Sequence, residues 1–343
     1  MTTPLLREFS QTDVDWLVQI GTLRSLQPGD RLYSPPQPLN HLWIVVSGQL
    51  SVVLETPAAD KSGKATRQEI LRLSSGELTG ALPAIATYLC QSTLLALTDA
   101  TVLAIPLAVL SQKLADDADF AAPFYRVVAL TLRHQLTQWA AQMGYSVALL
   151  GQLQLKEAAT VFAELADSDL DWLMAVGQVT SIKPGTPLLR CGYPVDALHL
   201  LLDGAVGLSA AEQPPNLVVT ALMPDPERAE TEFARLSRGD LVGETLLLDS
   251  APAAVGAIAL RESTLLTIPR WRLLAKLLYD RPFAARLYRL LALLLASKQQ
   301  LILQKLGVLA PNSDLDGPLL ERVALAEARF EWLVQRLKAQ AQF

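Results

Sequence analysis

Hydrophobic and polar residues follow the same order twice along the chain. A stretch with apolar residues at helical spacing, residues 13–20, leads into Pro-Gly turns and then into apolar runs such as LWIVV at residues 42–46. The order returns with a helical stretch at residues 169–176 and the run LHLLL at residues 198–202. Helical spacing predicts an amphipathic helix, whereas short apolar runs between turn residues predict strands.

The strand pattern ends in both halves at a proline. LAIP closes it at residues 103–106 and LTIP at residues 266–269, and a long helical pattern follows each of them. Proline cannot donate a hydrogen bond to a sheet, so it marks the end of the strand region. Each half is therefore predicted to be a β-barrel followed by helices.

The two halves are copies of one unit. Three residues recur 156 positions later, as the pairs Trp16/Trp172, Pro28/Pro184 and Gly48/Gly204, and FAAPFYR at residue 120 recurs 163 positions later as FAARLYR. The seven extra residues of the second copy fall in a Pro-rich, charged stretch between Gly204 and Gly239, which predicts an exposed hairpin loop. We predict a first domain at residues 1–155, a second at 156–307, and a loop with an amphipathic C-terminal helix at 308–343.

Composition agrees with two folded domains. At roughly 150 residues per domain, 343 residues suggest two, and 51% hydrophobic with 18% charged residues is far from a disordered composition. Apolar runs are shorter than the roughly 20 residues of a membrane span, and the first residues show no signal-peptide pattern. Cys90 and Cys191 match no metal spacing, which favours a cytoplasmic location, and the net charge of −5 argues against a nucleic-acid-binding surface.

Longer stretches of each half resemble the cyclic-nucleotide-binding domain. They are PGDRLYSPPQPLNHLWIVVSGQLSV with SGELTG in the first half, and PGTPLLRCGYPVDALHLLLDGAVGL with RGDLVGETLLLDSAP in the second. This family includes the bacterial catabolite activator protein, kinase regulatory subunits and gated ion channels. The resemblance implies a mainly β fold with helices: two jelly-roll-like β-rolls, each followed by long helices, plus a C-terminal helix.

The resemblance also implies where a ligand would bind. The family's phosphate cassette resembles G-E-x-x-L-L followed by an Arg and small residues; the Glu accepts from the ribose 2′-hydroxyl and the Arg neutralises the cyclic phosphate, assisted by helix N-terminal amides. In the second copy Gly243, Glu244 and Thr245 match the start of the cassette, but Ala253 stands at the Arg position and is followed by Ala254.

The first copy departs further from the cassette. After Gly80, Ala81 stands where the Glu belongs, and Cys90, followed by Gln91, stands where the Arg belongs, while Pro83 interrupts the short helix. This copy lacks both of the side chains that the family uses to hold its ligand.

Neither cassette region contains a basic residue, since residues 73–112 and 239–260 hold no Lys, Arg or His. Arg190 and Arg261 are the candidates for a replacement from elsewhere. A charge-assisted hydrogen bond contributes ~1.5–3 kcal/mol, so its loss should weaken cyclic-nucleotide binding by ~10-fold to 1,000-fold or more. Both pockets are expected to have lost this ligand. Two roles stay open for Glu244: it accepts from the ribose of a weakly bound cyclic nucleotide in the second pocket, or it only complements a helix dipole.

The helical region after the second barrel is selectively basic. Residues 269–307 carry eight basic residues against Asp280 alone, whereas residues 106–142 balance three Lys and Arg with three Asp. Such a helix suits anionic lipid, nucleic acid, an acidic partner protein, or the solvated side of a packed helix. The apolar positions of this helical region are expected to pack against apolar helix positions of the first copy, so that the single chain forms a pseudo-dimer, or to form a homo-oligomer. The second-copy positions are Leu290, Leu293, Leu294, Leu301 and Leu306, and the first-copy ones Leu130, Leu132, Leu136 and Trp139.

The C-terminal segment predicts neither DNA binding nor catalysis. Its one helix is nearly neutral, with four basic residues and three acidic ones, and a single such helix cannot supply a motif that reads a DNA groove. The apolar stripe of this helix suits docking onto the protein itself, an oligomer or a partner. His41, His134 and His199 share no short spacing, and no nucleophile elbow, Walker loop or zinc pattern occurs. We expect no catalytic residue, metal or cofactor.

Two functional hypotheses follow. The first is a non-enzymatic interaction, assembly or regulatory protein that acts through contacts with a partner protein. The second is a sensor that binds a cyclic nucleotide or another small molecule in the second pocket and signals through its C-terminal helix.

Overall fold

The computed structural model describes residues 8–35, 37–56, 66–85, 92–142, 162–211, 230–248, 252–253, 255–305 and 317–340. The chain forms two compact units, one of Met1–Met143 with Leu291–Pro311 and one of Gly144–Leu290 with Asn312–Phe343. The predicted domain boundaries at 155/156 and 307/308 lie outside the described residues.

The first unit is built from a short helix, eight strands and two further helices. In chain order these are α1 (Gln11–Ile20), β1 (Thr22–Leu26), β2 (Arg31–Tyr33), β3 (His41–Ser47), β4 (Leu50–Thr56), β5 (Thr66–Leu73), β6 (Leu78–Thr79), β7 (Thr93–Ala96), β8 (Ala100–Pro106), α2 (Leu107–Asp116) and α3 (Ala118–Gln142), with a 3-10 turn at Leu82–Ala84 between β6 and β7.

These strands form two antiparallel sheets of four, in the orders β1-β8-β3-β6 and β2-β7-β4-β5. Their buried apolar side chains, such as Val45, Leu50 and Leu94, fill the interior of the roll. Pro106 is the last residue of β8 and the N-cap of α2, because its fixed φ suits the start of a helix and it has no amide hydrogen to give to the sheet.

The second unit repeats this order. Its elements are α4 (Asp167–Val176), β9 (Gln178–Ile182), β10 (Pro187–Leu189), β11 (Ala197–Asp203), β12 (Val206–Ala211), β13 (Glu230–Leu236), β14 (Leu241–Val242), β15 (Gly256–Ala259), β16 (Ser263–Pro269), α5 (Arg270–Tyr279), α6 (Arg281–Lys305) and α7 (Gly317–Gln340), with a 3-10 turn at Glu244–Leu247. The end of α6, from Leu291, belongs to the first unit.

The strand pairing of the second unit copies the first. Its sheets run β9-β16-β11-β14 and β10-β15-β12-β13. Even an irregularity is repeated, because the register shifts between Val45 and Ser47 in β3 and between Leu201 and Asp203 in β11. The predicted fold, two β-rolls each followed by long helices plus a C-terminal helix, is confirmed. The predicted hairpin excursion of the second copy falls mostly on residues 212–229, which lie outside the described part of the chain.

Part of the positive charge of residues 269–307 is matched inside the second unit. Lys276 pairs with Asp280 at 2.6 Å, Arg286 pairs with Asp169, and Arg289 pairs with Glu164. The first unit contains two equivalents of these contacts, Lys113 with Asp117 at 2.6 Å and Arg126 with Glu8. The basic character of this helical region is therefore in part internal pairing.

The Lys–Asp pairs also fix the start of the following helix. The pKa of Asp117 is lowered by its hydrogen bond from Lys113 and by the amide of Phe120. Burial raises the pKa of Asp280, but hydrogen bonds from Lys276 and the Phe283 amide lower it by more. Both carboxylates are thus held in their charged form at helix N-termini, where a negative charge is favourable.

The C-terminal helix α7 docks within its own unit, as one of the predicted alternatives proposed. Arg238, on the turn before β14, forms a two-point ion pair with Glu331, and Arg329 donates to the carbonyls of Phe162 and Leu165. The buried ring of Phe330 lies 5.1 Å from that of Phe162. Among the described helices, none is both long enough and apolar enough to cross a membrane.

Candidate functional site

Both cassettes begin at a glycine that the backbone requires. Gly80 and Gly243 have φ of +81° and +90°, a region that residues with a Cβ rarely adopt. A Cβ at Gly80 would lie 2.8 Å from the carbonyl oxygen of His41, and one at Gly243 would lie 2.6 Å from that of Ala197. The glycines therefore let each cassette turn back tightly against its neighbouring strand.

A single 3-10 turn follows each glycine. In the first copy Ala81 caps the turn Leu82–Ala84, and Pro83 within it has no amide hydrogen to offer. In the second copy Glu244 is the first residue of the turn Glu244–Leu247 and is partly exposed. Such short turns provide only one or two amide donors for an anion.

The first cassette borders a small cavity of about 70 Å³. The roll contributes apolar and neutral polar side chains, and the cassette contributes Gly80, Ala81 and Leu82. The Tyr33 hydroxyl lies 3.1 Å from that of Thr79. Among its described lining residues there is no Lys, Arg, His, Asp or Glu; the roll and cassette residues are Tyr33, Leu39, Val52, Ile70, Leu71, Leu78, Thr79, Gly80, Ala81, Leu82 and Ser92.

Helices line the other side of this cavity. Val128, Thr131, Leu132 and Gln135 of α3 border it together with Gln299 of α6. Gln299 is buried and donates from Nε2 to Oε1 of Gln135 at 2.9 Å, so the two side chains hold each other in place. Leu301, Leu306 and Trp139 of the predicted helix pairing have side chains outside the described set.

The volume decides what this cavity can accept. A water molecule occupies ~30 Å³ of liquid, and a cavity of ~150 Å³ is needed to hold benzene. At about 70 Å³ this space, which is partly open to solvent, is less than half of that volume.

In the second copy the Arg position is filled by a buried methyl group. Ala253 is 4% exposed, its amide donates to the carbonyl of Tyr193 at 2.8 Å, and its carbonyl accepts from the amide of Gly192 at 2.8 Å. Its backbone is thus fixed against the turn after β10. Of the other predicted cassette residues, Ala254, Cys90 and Gln91 lie outside the described residues, as does the side chain of Thr245.

Of the two candidate replacement arginines, Arg190 lies in the turn that holds Ala253, whereas Arg261 lies on the turn after β15. Arg190 is exposed and its carbonyl accepts from the amide of Tyr193 in a turn. The side chain of Arg261 is 65% exposed and donates to the carbonyl of Gly204 at 2.9 Å.

A histidine to which the sequence pattern assigned no functional role lies beside the second cassette. His199 of β11 pairs in register with Val242 of β14, the residue before Gly243, and its Nδ1 lies 3.0 Å from the Thr267 hydroxyl. Burial lowers the pKa of His199 to about 4. It is therefore neutral at pH 7 and supplies no positive charge for a phosphate. The place of His199 beside the cassette follows only from the pairing register of β11 with β14.

Other described residues offer no second site. His134 is exposed and its Nε2 lies 2.9 Å from the Gln138 amide, and the ring of His41 lies 5.4 Å from that of Trp43. In the described ranges, no three His, Cys, Asp or Glu side chains are grouped as a metal ion would need.

The sequence matches the family model of the cyclic nucleotide-binding domain twice, over residues 23–117 and 179–280. These regions include both cassettes and most of both rolls. No protein of curated function matches the sequence significantly.

Solved structures with a similar fold include tandem regulatory domains and a bacterial regulator. The regulatory domain of Toxoplasma gondii PKA with cAMP is 14% identical, with 89% of this chain and 92% of that chain covered and a TM-score of 0.30. The regulatory subunit of a cAMP-independent protein kinase A from Trypanosoma cruzi, bound to guanosine, is 14% identical, with 90% of each chain covered and a TM-score of 0.28. The catabolite activator protein of Thermus thermophilus is 15% identical, with 55% of this chain and 76% of that chain covered and a TM-score of 0.34.

Proposed function

Because this chain belongs to the cyclic nucleotide-binding domain family, with one domain in each half, we propose that it is a non-enzymatic interaction, assembly or regulatory protein that no longer holds a cyclic nucleotide. It acts through contacts with a protein partner. A cytoplasmic location is part of this proposal and is supported by the two cysteines, which are far apart in sequence.

The observation that carries the proposal is the small cavity of the first copy, whose described lining holds no charged side chain. Its volume of about 70 Å³ argues against a bound nucleotide, and the buried Ala81 stands at the position where the family's Glu would meet the ribose. The helix side of the cavity is lined by Gln135 and Gln299, which are joined by a hydrogen bond.

Charge supports the same conclusion for the second copy. A phosphate that leaves water needs a countercharge or several donors, since an unpaired buried ion costs several kcal/mol. Ala253 provides neither, Arg190 and Arg261 are exposed, and His199 is neutral. A cyclic nucleotide would therefore lose more hydration energy than this pocket returns.

A second candidate function is a small-molecule sensor in the second copy. It is favoured by the retained start of the cassette, where Gly243 keeps its left-handed turn and Glu244 keeps the first position of the 3-10 helix. A carboxylate there could accept from a ribose hydroxyl, and movement of α5 and α6 would be the output.

Isothermal titration calorimetry of the full chain distinguishes the two functions. With cyclic AMP, cyclic GMP and cyclic dinucleotides we expect no saturable heat, that is a Kd weaker than ~1 mM. Glu244→Ala, with unchanged circular dichroism and thermal midpoint, is the matched variant. Micromolar binding that Glu244→Ala abolishes would contradict the proposal and support the sensor.

The protein-partner part needs its own measurement. Affinity purification of the full chain from its native host, followed by size-exclusion chromatography, is expected to return a protein partner in stoichiometric amount. Recovery of a monomeric chain alone, at concentrations found in the host, would argue against this function.

A further inference from the structure

The outward side of α5 is apolar although it faces solvent. Trp271 is 67% exposed, Leu278 is 60% and Tyr279 is 84%, and Leu274 is also exposed. The opposite side of the same helix, with Leu273 and Leu277, is buried against its own unit. We call Trp271, Leu274, Ala275, Leu278 and Tyr279 the outer face of α5.

The outer face forms one continuous stripe. Trp271, Leu274, Ala275 and Leu278 follow the spacing i, i+3, i+4, i+7 of a single helical surface, and Tyr279 extends it at the C-terminal end. Contiguous exposed apolar surface of this kind marks interaction sites in folded proteins.

The first copy shows that the fold does not require this surface. After its first residue, helix α2 has the same order of buried and exposed positions as α5, with Leu110 and Leu114 buried. At the positions 163 residues before the four large outer-face residues it carries Ala108, Ser111, Ala115 and Asp116. The second copy thus places large apolar side chains where its duplicate has small or charged ones, so the packing of this fold does not require them.

Both borders of the stripe are basic. Arg272 lies on one border and is exposed, whereas Arg270, on the other, is partly buried and donates from Nη1 to the carbonyl of Val195 at 3.3 Å. The guanidinium of Arg272 lies 5.0 Å above the Trp271 ring. The only acidic residue of this helical region, Asp280, pairs with Lys276 at the buried side.

We propose that the outer face of α5 docks an acidic amphipathic helix of a partner protein. The apolar side of that helix would cover Trp271, Leu274 and Leu278, and its carboxylates would meet the exposed Arg272. Trp, Tyr and Arg are the residues that most often dominate binding energy at protein interfaces, and an arginine fork matches a carboxylate. This inference rests on the proposed function, since it names the surface through which that function acts.

Two other occupants fit the surface less well. A second copy of this chain docked by the same face would bring its basic border, Arg272 above all, near the same border of the other copy, and like charges oppose such a contact. A bilayer of anionic lipid would attract these cations but repel a chain whose net charge is −5. The two aromatic residues and two leucines expose on the order of 500 Å², less than the ~800 Å² per partner of a standard interface between folded proteins, which suits a helical segment.

The closing experiment uses the first copy as its control. The variant carries Trp271→Ala, Leu274→Ser, Leu278→Ala and Tyr279→Asp, the residues that the duplicated helix already accommodates. A displayed library of helix-forming peptides is selected against the full wild-type chain and counter-selected against this variant. Fluorescence anisotropy then measures the selected peptides against both proteins.

We expect the selected peptides to carry apolar residues at i, i+3, i+4 and i+7 with a net negative charge, and to lose roughly tenfold or more in affinity on the variant. Arg272→Glu should weaken them and should favour peptides whose acidic residues are exchanged for lysine. Neutral or basic selected peptides, equal affinity for both proteins, or no enrichment would overturn the inference. So would cosedimentation with phosphatidylserine vesicles, or a dimer in light scattering, that only the wild type shows. If one of these contradicting results is obtained while calorimetry still shows no nucleotide binding, the proposed function stands and only the docking surface on α5 is wrong.

Discussion

Arg286 holds Asp169 by two hydrogen bonds, from Nε at 2.6 Å and from Nη2 at 2.8 Å, across 117 residues of sequence. The Asp169 side chain is only 2% exposed, whereas that of Arg286 is 32% exposed. In the first copy the equivalent Asp13 completes a capping box with Ser10, and Pro123 stands at the Arg286 position. The pair therefore belongs to the second unit alone and joins α4 to α6.

The unequal burial of the two partners predicts unequal costs of removing them. Arg286→Met leaves a buried carboxylate without its cation and is expected to lower the free energy of unfolding by about 3–5 kcal/mol. Asp169→Asn leaves a cation that still reaches water, so its cost should be clearly smaller. Urea unfolding monitored by circular dichroism measures both.

The matched control is Asp171→Ala, which removes an ion pair to Arg336 whose side chains are 52% and 59% exposed. We expect it to change stability by less than about 1 kcal/mol. Equal costs for all three variants would show that the buried pair does not hold α4 and α6 together.

The partly buried imidazole of His199 predicts a specific dependence of stability on pH. Its pKa is lowered from 6.5 to about 4 by burial, so the unfolded state binds the proton more tightly than the folded state. Stability should be unaffected by this group above pH 6.5 and should fall between pH 6.5 and pH 4, by up to about 3 kcal/mol for a shift of this size.

His199→Gln should remove this slope while keeping a polar contact with Thr267. Unfolding in urea at several pH values compares the variant with the wild type, and His134→Gln, an exposed site, serves as the control. A wild-type slope that His199→Gln leaves intact would assign the effect to other groups.

Restoring the missing countercharge predicts a gain of ligand binding in one copy only. Ala253→Arg places a guanidinium at the cassette position that follows Glu244, on a backbone already fixed by Tyr193. We expect cyclic-AMP affinity to rise by roughly tenfold or more, the contribution of one charge-assisted hydrogen bond. Calorimetry against the uncharged Ala253→Met separates charge from size.

The same logic predicts failure in the first copy. Ala81→Glu adds the missing carboxylate but leaves a cavity of about 70 Å³ with no basic residue among its described lining, so no binding should appear. Binding by Ala81→Glu alone would contradict the argument from volume and charge.

Docking of α7 predicts that its buried aromatic residue contributes to stability. Phe330 is 5% exposed, contacts Phe162, and lies under Arg238, whose Cζ is 5.2 Å from the ring. Phe330→Ala should lower the free energy of unfolding by about 3–5 kcal/mol. Amide hydrogen exchange should then increase in α7 and α4.

Trp332→Ala on the exposed side of α7 is the comparison, since Trp332 is 41% exposed. It should change stability by less than about 1 kcal/mol and leave exchange in α4 unchanged. If Phe330→Ala behaves in the same way, α7 is only loosely attached.

The repeat explains why the fold could be predicted so completely. The glycines at 48 and 204 and the prolines at 106 and 269 are local requirements of turns and strand ends, and local requirements are visible in a single sequence. The absence of Lys, Arg and His from both cassettes is likewise a property of the sequence. The expectation that the usual ligand is lost could thus be stated before any coordinates.

Other features depend on contacts that no local pattern encodes. Sequence left α7 with three alternatives, and it left Arg190 and Arg261 as possible replacements at the cassette. The contacts of Glu331 with Arg238, and of Arg261 with Gly204, join residues 93 and 57 positions apart. Periodicity shows that a helix has an apolar face, but it does not show what that face meets.

The sequence by itself therefore determined two duplicated β-rolls with helices and two cassettes without a cation, because strand alternation, turn residues and side-chain charge are local properties. Only the tertiary structure decided that helices line the first cavity, that His199 lies beside the second cassette, that Asp169 is buried against Arg286, and that the outer face of α5 stays exposed. Burial and volume are set by segments that meet only after folding, so the same residue types could have stood in water or in the core.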